Sequence, residues 1–293
     1  MKRKIGIIGL GFIGFEYASK LLNGGYSLTV LDCDAEKQRK VVSLGAIGAT
    51  TPAQVAKNSD IVLLALPNSE IVEATMGGKN GVLSALDRGK LVIDTSSCRP
   101  QTSVLLDALC REKGAGFLDA PLTRKAKGHI LMVSGSKEDF AIAEEIFGCI
   151  SYKYQRVGEA GAGQTLKKIQ QGIGAGLLAV YAENIELTKS CGLDPKLLRE
   201  LLEFDIPDSL YTEDYAGGGN LWMNYKDLGY LMEIAHDKCA NVPLSALVHE
   251  IFKAVRISGE PDWIQAGIQT YYRKLNTTKR TTLKKRTITH GER

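Results

Sequence analysis

The sequence predicts an α/β fold in which a doubly wound, mostly parallel sheet is followed by a long helix and then by an all-helical domain. Three observations predict this. Short apolar runs alternate with helical stretches in the first half of the chain, as in βαβ units. A proline-free helical stretch follows, and no strand pattern occurs beyond it. The 293 residues also leave room for two domains of ordinary size.

These patterns divide the chain into four parts. We expect the sheet domain at residues 1–160, the connecting helix at 161–190, the helical domain at 191–275 and a disordered basic tail at 276–293. Residues 279–293 contribute a net charge of +5, whereas the whole chain carries +4, so the remaining residues sum to −1. The basic character therefore belongs to the tail, and no nucleic-acid-binding face is expected.

Composition excludes several other classes of protein. At 44% hydrophobic and 24% charged residues, the chain is typical of a globular protein. No apolar run is long enough to span a membrane. The six cysteines include no CxxC pair and the four histidines are dispersed, so we expect no metal site. The scattered cysteines are expected to be reduced. The apolar run that begins at Ile5 is interrupted by glycines and Glu16 too early for a signal peptide, so we expect a cytoplasmic protein.

A glycine-rich turn follows the first predicted strand, residues 4–10, and precedes a helix predicted at 15–23. Its residues are Gly9, Leu10, Gly11, Phe12, Ile13 and Gly14, which form a GxGxxG pattern. A second strand, residues 27–31, ends at Asp32. Asp32 stands 21 residues beyond Gly11, close to the spacing of about 20 that is typical of dinucleotide-binding domains.

Each position of this pattern has a physical reason. Gly9 permits the tight turn, Gly11 lets the backbone approach a pyrophosphate, and Gly14 lets the helix pack closely on the strand. The start of the helix offers N–H groups to phosphates. Asp32 would accept hydrogen bonds from both ribose hydroxyls of NAD and would repel the 2′-phosphate of NADP. The sequence therefore predicts a Rossmann-type domain that binds NAD, with NADP less favoured.

Polar segments follow the later strands, which are predicted at residues 60–66, 90–94, 116–121 and 130–134. Ligands of such sheets bind outside the carboxyl ends of the strands. We therefore expect the segments 67–68, 95–97 and 119–125 to converge on the nicotinamide end of the cofactor.

The connecting helix has two distinct faces. Its apolar residues recur at three- and four-residue spacings and predict a packed face; they are Leu166, Ile169, Ile173, Leu177 and Val180. Lys167, Gln170, Gln171 and Gly174 share another face. That face suits the lining of a polar pocket, although a solvated surface is the alternative on this segment alone.

Six segments, in order, resemble motifs of the β-hydroxyacid dehydrogenase family, which includes 3-hydroxyisobutyrate dehydrogenase and is related to 6-phosphogluconate dehydrogenase. Residues 9–14 look like the family's GLGxMG, 66–68 like its LPN and 94–100 like its DxSTxxP. Residues 119–123 look like the start of DAPVSGG, 161–167 like GxGxxxK and 222–228 like the late KDL motif. The resemblance covers residues 4 to about 272.

The resemblance implies an NAD-dependent oxidoreductase that interconverts a β-hydroxy acid and its semialdehyde or keto acid, and a homodimer formed through the helical domain. Lys167 would be the general acid/base at the substrate hydroxyl. The residues expected to bind the small anionic substrate are Ser96, Thr123, Arg124, Gln170 and Gln171. Those expected to bind the cofactor are Gly9, Leu10, Gly11, Phe12, Ile13, Gly14, Asp32, Leu66, Pro67, Asn68, Thr95 and Lys226.

Two departures from the family pattern leave other functions open. Gln170 and Gln171 stand where the family has two asparagines, and Arg124 and Lys125 stand where it has two glycines. The added cations suit a larger or doubly anionic substrate. One alternative is a cofactor-binding protein without turnover, such as a sensor or partner-binding module. The other is an imine reductase-like activity on the same scaffold, against which Lys167 argues.

Overall fold

The computed structural model describes residues 2–217 and 220–277. Its contacts divide the chain into two compact units, residues 1–170 and 171–293. The division falls inside one long helix, Ala162–Ser190, which is α7 in chain order. The two units are described in turn.

The first unit contains a nine-stranded sheet. Its strands are β1 (Ile5–Ile8), β2 (Leu28–Leu31), β3 (Ile47–Gly48), β4 (Ile61–Leu64), β5 (Leu91–Asp94), β6 (Gly116–Asp119), β7 (Leu122–Lys125), β8 (Gly128–Gly135) and β9 (Lys153–Gly158). Its helices before α7 are α1 (Phe12–Asn23), α2 (Ala35–Val42), α3 (Pro52–Lys57), α4 (Ser69–Met76), α5 (Pro100–Glu112) and α6 (Lys137–Ile150), with a 3₁₀ turn at Val82–Ala85.

The strand order is β3-β2-β1-β4-β5-β6-β8-β7, and β9 pairs with β8. Strands β1 to β6 run parallel, whereas β8 is antiparallel to β6 and β7. The chain reverses its direction of winding between β1 and β4, the position at which open α/β sheets bind ligands. The predicted doubly wound sheet is therefore confirmed, and its switch point lies beside the glycine-rich turn.

Apolar residues cover both faces of this sheet. In β4, Ile61 and Leu63 pack in one core cluster, whereas Val62 and Leu64 pack in the other. A strand buried on both faces has no polar alternation, which is why the short apolar runs of the sequence identify these strands.

The sequence pattern does not predict three short strands, β3, β7 and β9. The most consequential is β7, because residues 119–125 were expected to be an open polar segment. Instead Leu122–Lys125 forms an antiparallel hairpin with β8, in which Thr123 pairs with Ile130 and Arg124 with His129. Helix α1 also begins earlier than predicted, at Phe12, because Gly11 in extended conformation serves as its N-cap.

The regular structure of the second unit, in the part that is described, consists of helices and no strands. After the remainder of α7 come α8 (Leu197–Glu200), α9 (Asp208–Thr212), α10 (Asn220–Asp237), α11 (Pro243–Ser258), a 3₁₀ turn at Gln265–Ile268 and α12 (Gln269–Thr277). The sequence alone predicts helices over residues 196–204, 226–239 and 243–258. The last of these has the bounds of α11, whereas α10 begins six residues before residue 226. The first is shorter in the structure, where it corresponds to α8. The basic tail lies outside the described residues.

A buried carboxylate, Glu186, ties two helices of this unit, α7 and α12, together. It accepts hydrogen bonds from Lys189 of the same helix at 2.8 Å and from Gln269 and Arg273 of α12 at 2.8 and 3.2 Å. Tyr215 donates in turn to the amide oxygen of Gln269 at 2.7 Å. Because the buried charge has cationic partners and several donors, it stabilises the helical core rather than standing uncompensated.

The apolar face predicted for α7 does not pack within the chain. Leu166, Ile169, Ile173, Leu177 and Val180 are between 41% and 62% exposed. The buried face is instead formed by small and branched residues such as Ala175, Leu178, Ala182 and Ile185. Both faces have helical spacing, so the periodicity identifies the helix without identifying which face is buried.

Candidate active site

The glycine-rich turn between β1 and α1 leaves room for a ligand at one position and is tightly packed at the other two. Gly9 has φ = +92°, and a Cβ there would collide with the carbonyl of Ala65. A Cβ on Gly14 would collide with the carbonyl of Gly9. A Cβ on Gly11 would meet nothing within 4 Å.

The start of α1 is free to bind an anion. Its N-cap, Gly11, supplies no side-chain hydrogen bond, and its first turn contains no acidic residue. The N–H groups that begin a helix need acceptors, and phosphate oxygens are suitable ones. The turn and helix therefore fit the pyrophosphate of a dinucleotide.

Asp32 lies at the end of β2 and contacts this same turn. Its Oδ2 accepts a hydrogen bond from Leu10 N at 2.5 Å, and its Oδ1 accepts one from Asp34 N at 2.8 Å. The carboxylate is half-buried. Asp32 thus fixes the glycine-rich turn in addition to the ribose-binding role that the sequence predicts.

The residues that follow β4 and β5 form a connected group. Ser96 is buried, and its Oγ accepts a hydrogen bond from Leu66 N at 2.9 Å. Thr95 donates through Oγ1 to the carbonyl of Leu64 at 2.6 Å. Asn68 caps α4 by accepting from Ile71 N at 2.9 Å. The structure brings the predicted residues 66–68 and 95–96 together, and several of their side chains hold the strand ends in place.

Helix α7 begins on a buried carboxylate from the sheet. Asp119, at the end of β6, accepts hydrogen bonds from Gly161 N at 2.8 Å and Gln164 N at 3.1 Å. The hydroxyl of Ser134 in β8 donates to Asp119 at 2.5 Å and accepts from Gly163 N at 2.9 Å. Burial raises the pKa of Asp119 to about 6. These bonds satisfy the N–H groups at the helix start and fix where α7 leaves the sheet.

Gln164 joins α7 to the segment that contains Ser96. Its side chain is fully buried. The amide nitrogen donates to the carbonyl of Ser96 at 2.9 Å, and the amide oxygen accepts from Cys98 N at 3.0 Å. One side chain therefore holds the start of α7 at a fixed distance from the Ser96 turn.

Lys167 lies one turn further along α7 and is 8% exposed. Its ammonium donates to the side-chain oxygen of Gln170 at 3.2 Å. The next residue, Lys168, is fully buried, and its ammonium donates to Ser97 Oγ at 2.6 Å. Two lysines thus follow the bridge made by Gln164, one oriented by an amide and the other by a hydroxyl of the Ser96 turn.

Gln171 and Lys226 belong to the second unit and meet a common carboxylate there. Asp227 accepts a hydrogen bond from Gln171 at 3.2 Å and forms an ion pair with Lys226 at 3.5 Å. The Lys226 ammonium also lies 5.5 Å from the centre of the Tyr230 ring. The roles predicted for Gln171 at the substrate and for Lys226 at the cofactor stay predictions.

Two polar residues of the β7–β8 hairpin that the sequence assigns to the substrate differ in their exposure. Thr123 is half-buried and Arg124 is exposed. The guanidinium of Arg124 lies over the ring of Phe12, the first residue of α1. Within the described residues, no group of three or more His, Cys, Asp or Glu side chains could hold a metal ion.

Two family models match consecutive parts of the chain. The first, described as the NAD binding domain of 6-phosphogluconate dehydrogenase, matches residues 4–158. The second, described as NAD-binding of NADP-dependent 3-hydroxyisobutyrate dehydrogenase, matches residues 161–271. The chain belongs to the β-hydroxyacid dehydrogenase family.

Individual members of this family match over most of their length. A 2-(hydroxymethyl)glutarate dehydrogenase of Eubacterium barkeri is 31% identical, over 87% of this chain and 90% of its own. An L-threonate dehydrogenase of Cupriavidus necator is 31% identical, over 88% and 92%. The structure of Mycobacterium tuberculosis 3-hydroxyisobutyrate dehydrogenase with L-serine has a TM-score of 0.84 at 22% identity, covering 93% of this chain and all of that one. The last comparison shows the fold.

Three residues of this β-hydroxyacid dehydrogenase site received no functional role from the sequence. Asp119 and Gln164 lie within the quoted motifs, but a single sequence does not reveal that their side chains are buried and bonded across the sheet. Ser134 ends a predicted strand, which is a weak signal for a polar residue that faces inward. Their shared feature, hydrogen bonding to backbone groups far away in sequence, requires the fold to be known.

Proposed function

We propose that this protein is an NAD-dependent oxidoreductase that interconverts a β-hydroxy acid and its semialdehyde or keto acid. The observation that carries the proposal is the position of Lys167. Its ammonium is nearly buried and is oriented by Gln170, on a helix tied through Gln164 to the Ser96 turn. A positioned amine on a helix that is fixed to a dinucleotide-binding sheet is suited to moving a hydroxyl proton while a hydride moves at the adjoining carbon.

Lys167 is the general acid/base in this proposal. Bound cofactor supplies or accepts the hydride through its nicotinamide ring. In the direction of reduction, the Lys167 ammonium donates a proton to the carbonyl oxygen; in oxidation, its neutral amine accepts the proton of the hydroxyl. Gln170, whose oxygen lies 3.2 Å from the Lys167 nitrogen, limits the directions in which that amine can point. Ser96 and Thr123 bind the carboxylate of the acid.

The substrate proposed is a small anionic hydroxy acid. The names of the two relatives above, which act on 2-(hydroxymethyl)glutarate and L-threonate, support this class. They also differ in size and charge, so the class of acid rather than one compound is proposed. Gln170 and Gln171 have longer side chains than the two asparagines of the family pattern. We assign the selection among such acids to these two amides.

The cofactor proposed is NAD rather than NADP. The chain contains NAD(P)-binding domains, and the choice between the two cofactors is assigned to Asp32. A carboxylate at the end of β2 accepts hydrogen bonds from a ribose diol and repels a 2′-phosphate. Turnover at equal concentrations of NAD and NADP measures this preference, and higher kcat/KM with NADP would overturn it.

We also propose a homodimer and a cytoplasmic location. Ile173, Leu177 and Val180 are more than half exposed on α7, and a second copy of the chain would cover such a row of apolar side chains. Light scattering of the wild type and of Leu177→Lys tests the homodimer, since a monomeric wild type would refute it.

The six free cysteines support the proposed location in a reducing compartment. No helix in the described part of the chain has the length and apolar character needed to cross a membrane.

The function is tested with a panel of β-hydroxy acids, semialdehydes and cyclic imines, each with NAD(H) and NADP(H), followed by NADH absorbance. We expect turnover of at least one hydroxy acid or semialdehyde. Calorimetric NADH binding without turnover of any compound would instead favour the cofactor-binding protein. Reduction of imines alone would favour the imine reductase-like activity.

A further inference from the structure

The β7–β8 hairpin packs on the helix that begins at the dinucleotide turn. Arg124 and His129 are directly opposed in the hairpin, so their side chains leave the same face of the sheet. Phe12 and Glu16 are four residues apart on α1 and also share a face. The two pairs meet, and the hairpin is thereby held against the first turns of α1.

One of these contacts anchors the hairpin. His129 is 1% exposed, its Nε2 lies 3.5 Å from the Glu16 carboxylate, and its ring meets the edge of the Tyr17 ring at 5.7 Å between centres. Glu16 also forms an ion pair with Lys20 at 2.8 Å. A buried histidine with an aromatic neighbour and a carboxylate fixes the position of β8 on α1, and with it the position of the opposing Arg124.

The other contact leaves a cation ready for a ligand. The Arg124 guanidinium carbon lies 4.8 Å from the centre of the Phe12 ring, a distance at which the ring face attracts the cation. Among residues 2–217 and 220–277, no hydrogen bond or ion pair to this guanidinium occurs. An arginine has five N–H donors in a planar fork that matches phosphate oxygens. Its donors are therefore available beside the first residue of α1.

The surroundings of Phe12 indicate what that ligand is. Phe12 is the first residue of α1, whose N-cap Gly11 has open space around it and whose first turn contains no carboxylate. The turn is the pyrophosphate-binding part of an NAD(P)-binding family domain. In the proposed function, by contrast, the hydroxyl-bearing carbon of the substrate reacts beside Lys167 on α7.

We propose that Arg124 binds the pyrophosphate of the dinucleotide, together with the N–H groups at the start of α1, instead of the substrate carboxylate. Phe12 orients the guanidinium, and the His129–Glu16 contact holds the hairpin that carries it. This inference rests on the proposed function only for the cofactor and is independent of the substrate and of Lys167.

Lys125 provides a matched control within the same hairpin. It is the next residue, carries the same charge and is exposed. It pairs with Gly128 rather than His129, and strand alternation directs its side chain to the opposite face. A general effect of positive charge would depend on Lys125 as much as on Arg124, whereas a specific pyrophosphate contact would depend on Arg124 alone.

The experiment is a fluorescence titration of the full-length protein with NADH, followed by displacement of NADH with ADP, which contains a pyrophosphate, and with adenosine, which does not. In Arg124→Ala we expect the Kd values of NADH and ADP to rise about tenfold or more, the effect of losing a charge-assisted hydrogen bond. The Kd of adenosine and all three Kd values of Lys125→Ala should stay within about twofold of the wild type. Unchanged thermal unfolding of Arg124→Ala confirms that its fold is intact.

Two results would overturn the proposal. Unchanged NADH and ADP binding in Arg124→Ala, with or without a raised KM for the hydroxy acid, would show that Arg124 does not bind the pyrophosphate of the cofactor. Equal weakening by Arg124→Ala and Lys125→Ala would reduce the contact to general electrostatic attraction. Because the titration requires no turnover, absence of activity on every acid of the panel would contradict the proposed function and leave this test intact.

Discussion

Replacing Gln164 by leucine is expected to loosen the first unit and to lower turnover. The side chain is fully buried and bonds to Cys98 N at 3.0 Å and to the Ser96 carbonyl at 2.9 Å. Leucine has a similar volume but no polar atoms, so a buried N–H and a buried C=O lose this partner. At about 1–3 kcal/mol each, the cost is about 2–6 kcal/mol. A typical protein has a total stability of only about 5–15 kcal/mol.

The assay must measure the first unit, because both tryptophans, Trp222 and Trp263, lie in the second. Hydrogen–deuterium exchange of peptides that contain residues 95–98 and 161–167 reports the local opening free energy. We expect it to fall in Gln164→Leu by the amount above and turnover to fall with it. An opening free energy within about 0.5 kcal/mol of the wild type would refute the bridging role.

Gln164→Glu is the matched control for this experiment. A protonated glutamic acid has both a donor and an acceptor and can make both bonds, whereas the ionised form has no donor for the Ser96 carbonyl. Burial raises the pKa of such a carboxyl. The stabilisation should therefore be present at low pH and be lost as the pH rises through that raised value. A stability that does not depend on pH relative to the wild type would contradict the geometry.

Three further predictions concern buried charge and close packing. Burial raises the pKa of Asp119 from 3.8 to about 6; the folded protein thus holds this proton more tightly than the unfolded chain. The stability that Asp119 adds relative to Asp119→Asn should be full below pH 3.8 and fall by up to ~3 kcal/mol as the pH rises to about 6, measured by denaturation across that range. Gly163→Ala should lower the free energy of unfolding in urea by about 1–3 kcal/mol, because the added Cβ would meet a backbone carbonyl of β8. Gly176→Ala lies on the same helix but has open space around it, so it should raise the free energy of unfolding by about 0.5–1 kcal/mol. Burial acts to raise the pKa of Glu186, but hydrogen bonds from a lysine and an arginine outweigh burial and lower the pKa below 4.5. The folding stability that ionised Glu186 adds should therefore be full above pH 4.5 and be lost in acid. A Glu186→Gln protein should lack that acid-dependent loss of stability.

Much of the fold follows from local patterns in the sequence. The buried strands have continuous apolar runs because both faces of the sheet are covered. The turn at Gly9 and Gly14 needs residues without a Cβ, and the long helix α7 extends over residues with no proline to end it. Each of these signals depends on neighbouring residues only, which is why one sequence is enough to detect them.

The rest depends on contacts between distant segments. Asp119 meets Gly161 across 42 residues of sequence and Gln164 meets Ser96 across 68, and neither contact has a periodic signature. Strand β7 contains mostly polar residues, so its pairing with β8 rather than its own pattern makes it a strand. The family resemblance assigned Arg124 to the substrate and gave no sign of its contact with α1, because its position over Phe12 follows from that pairing.

The most direct test of the account is the turnover of Lys167→Ala on the best acid of the panel. We expect kcat to fall by at least about 100-fold, the low end of general acid/base effects, while the Kd of NADH stays within about twofold of the wild type. Intact NADH binding establishes that the first unit is folded. Turnover close to that of the wild type would contradict the assignment of Lys167 as the proton-transferring residue.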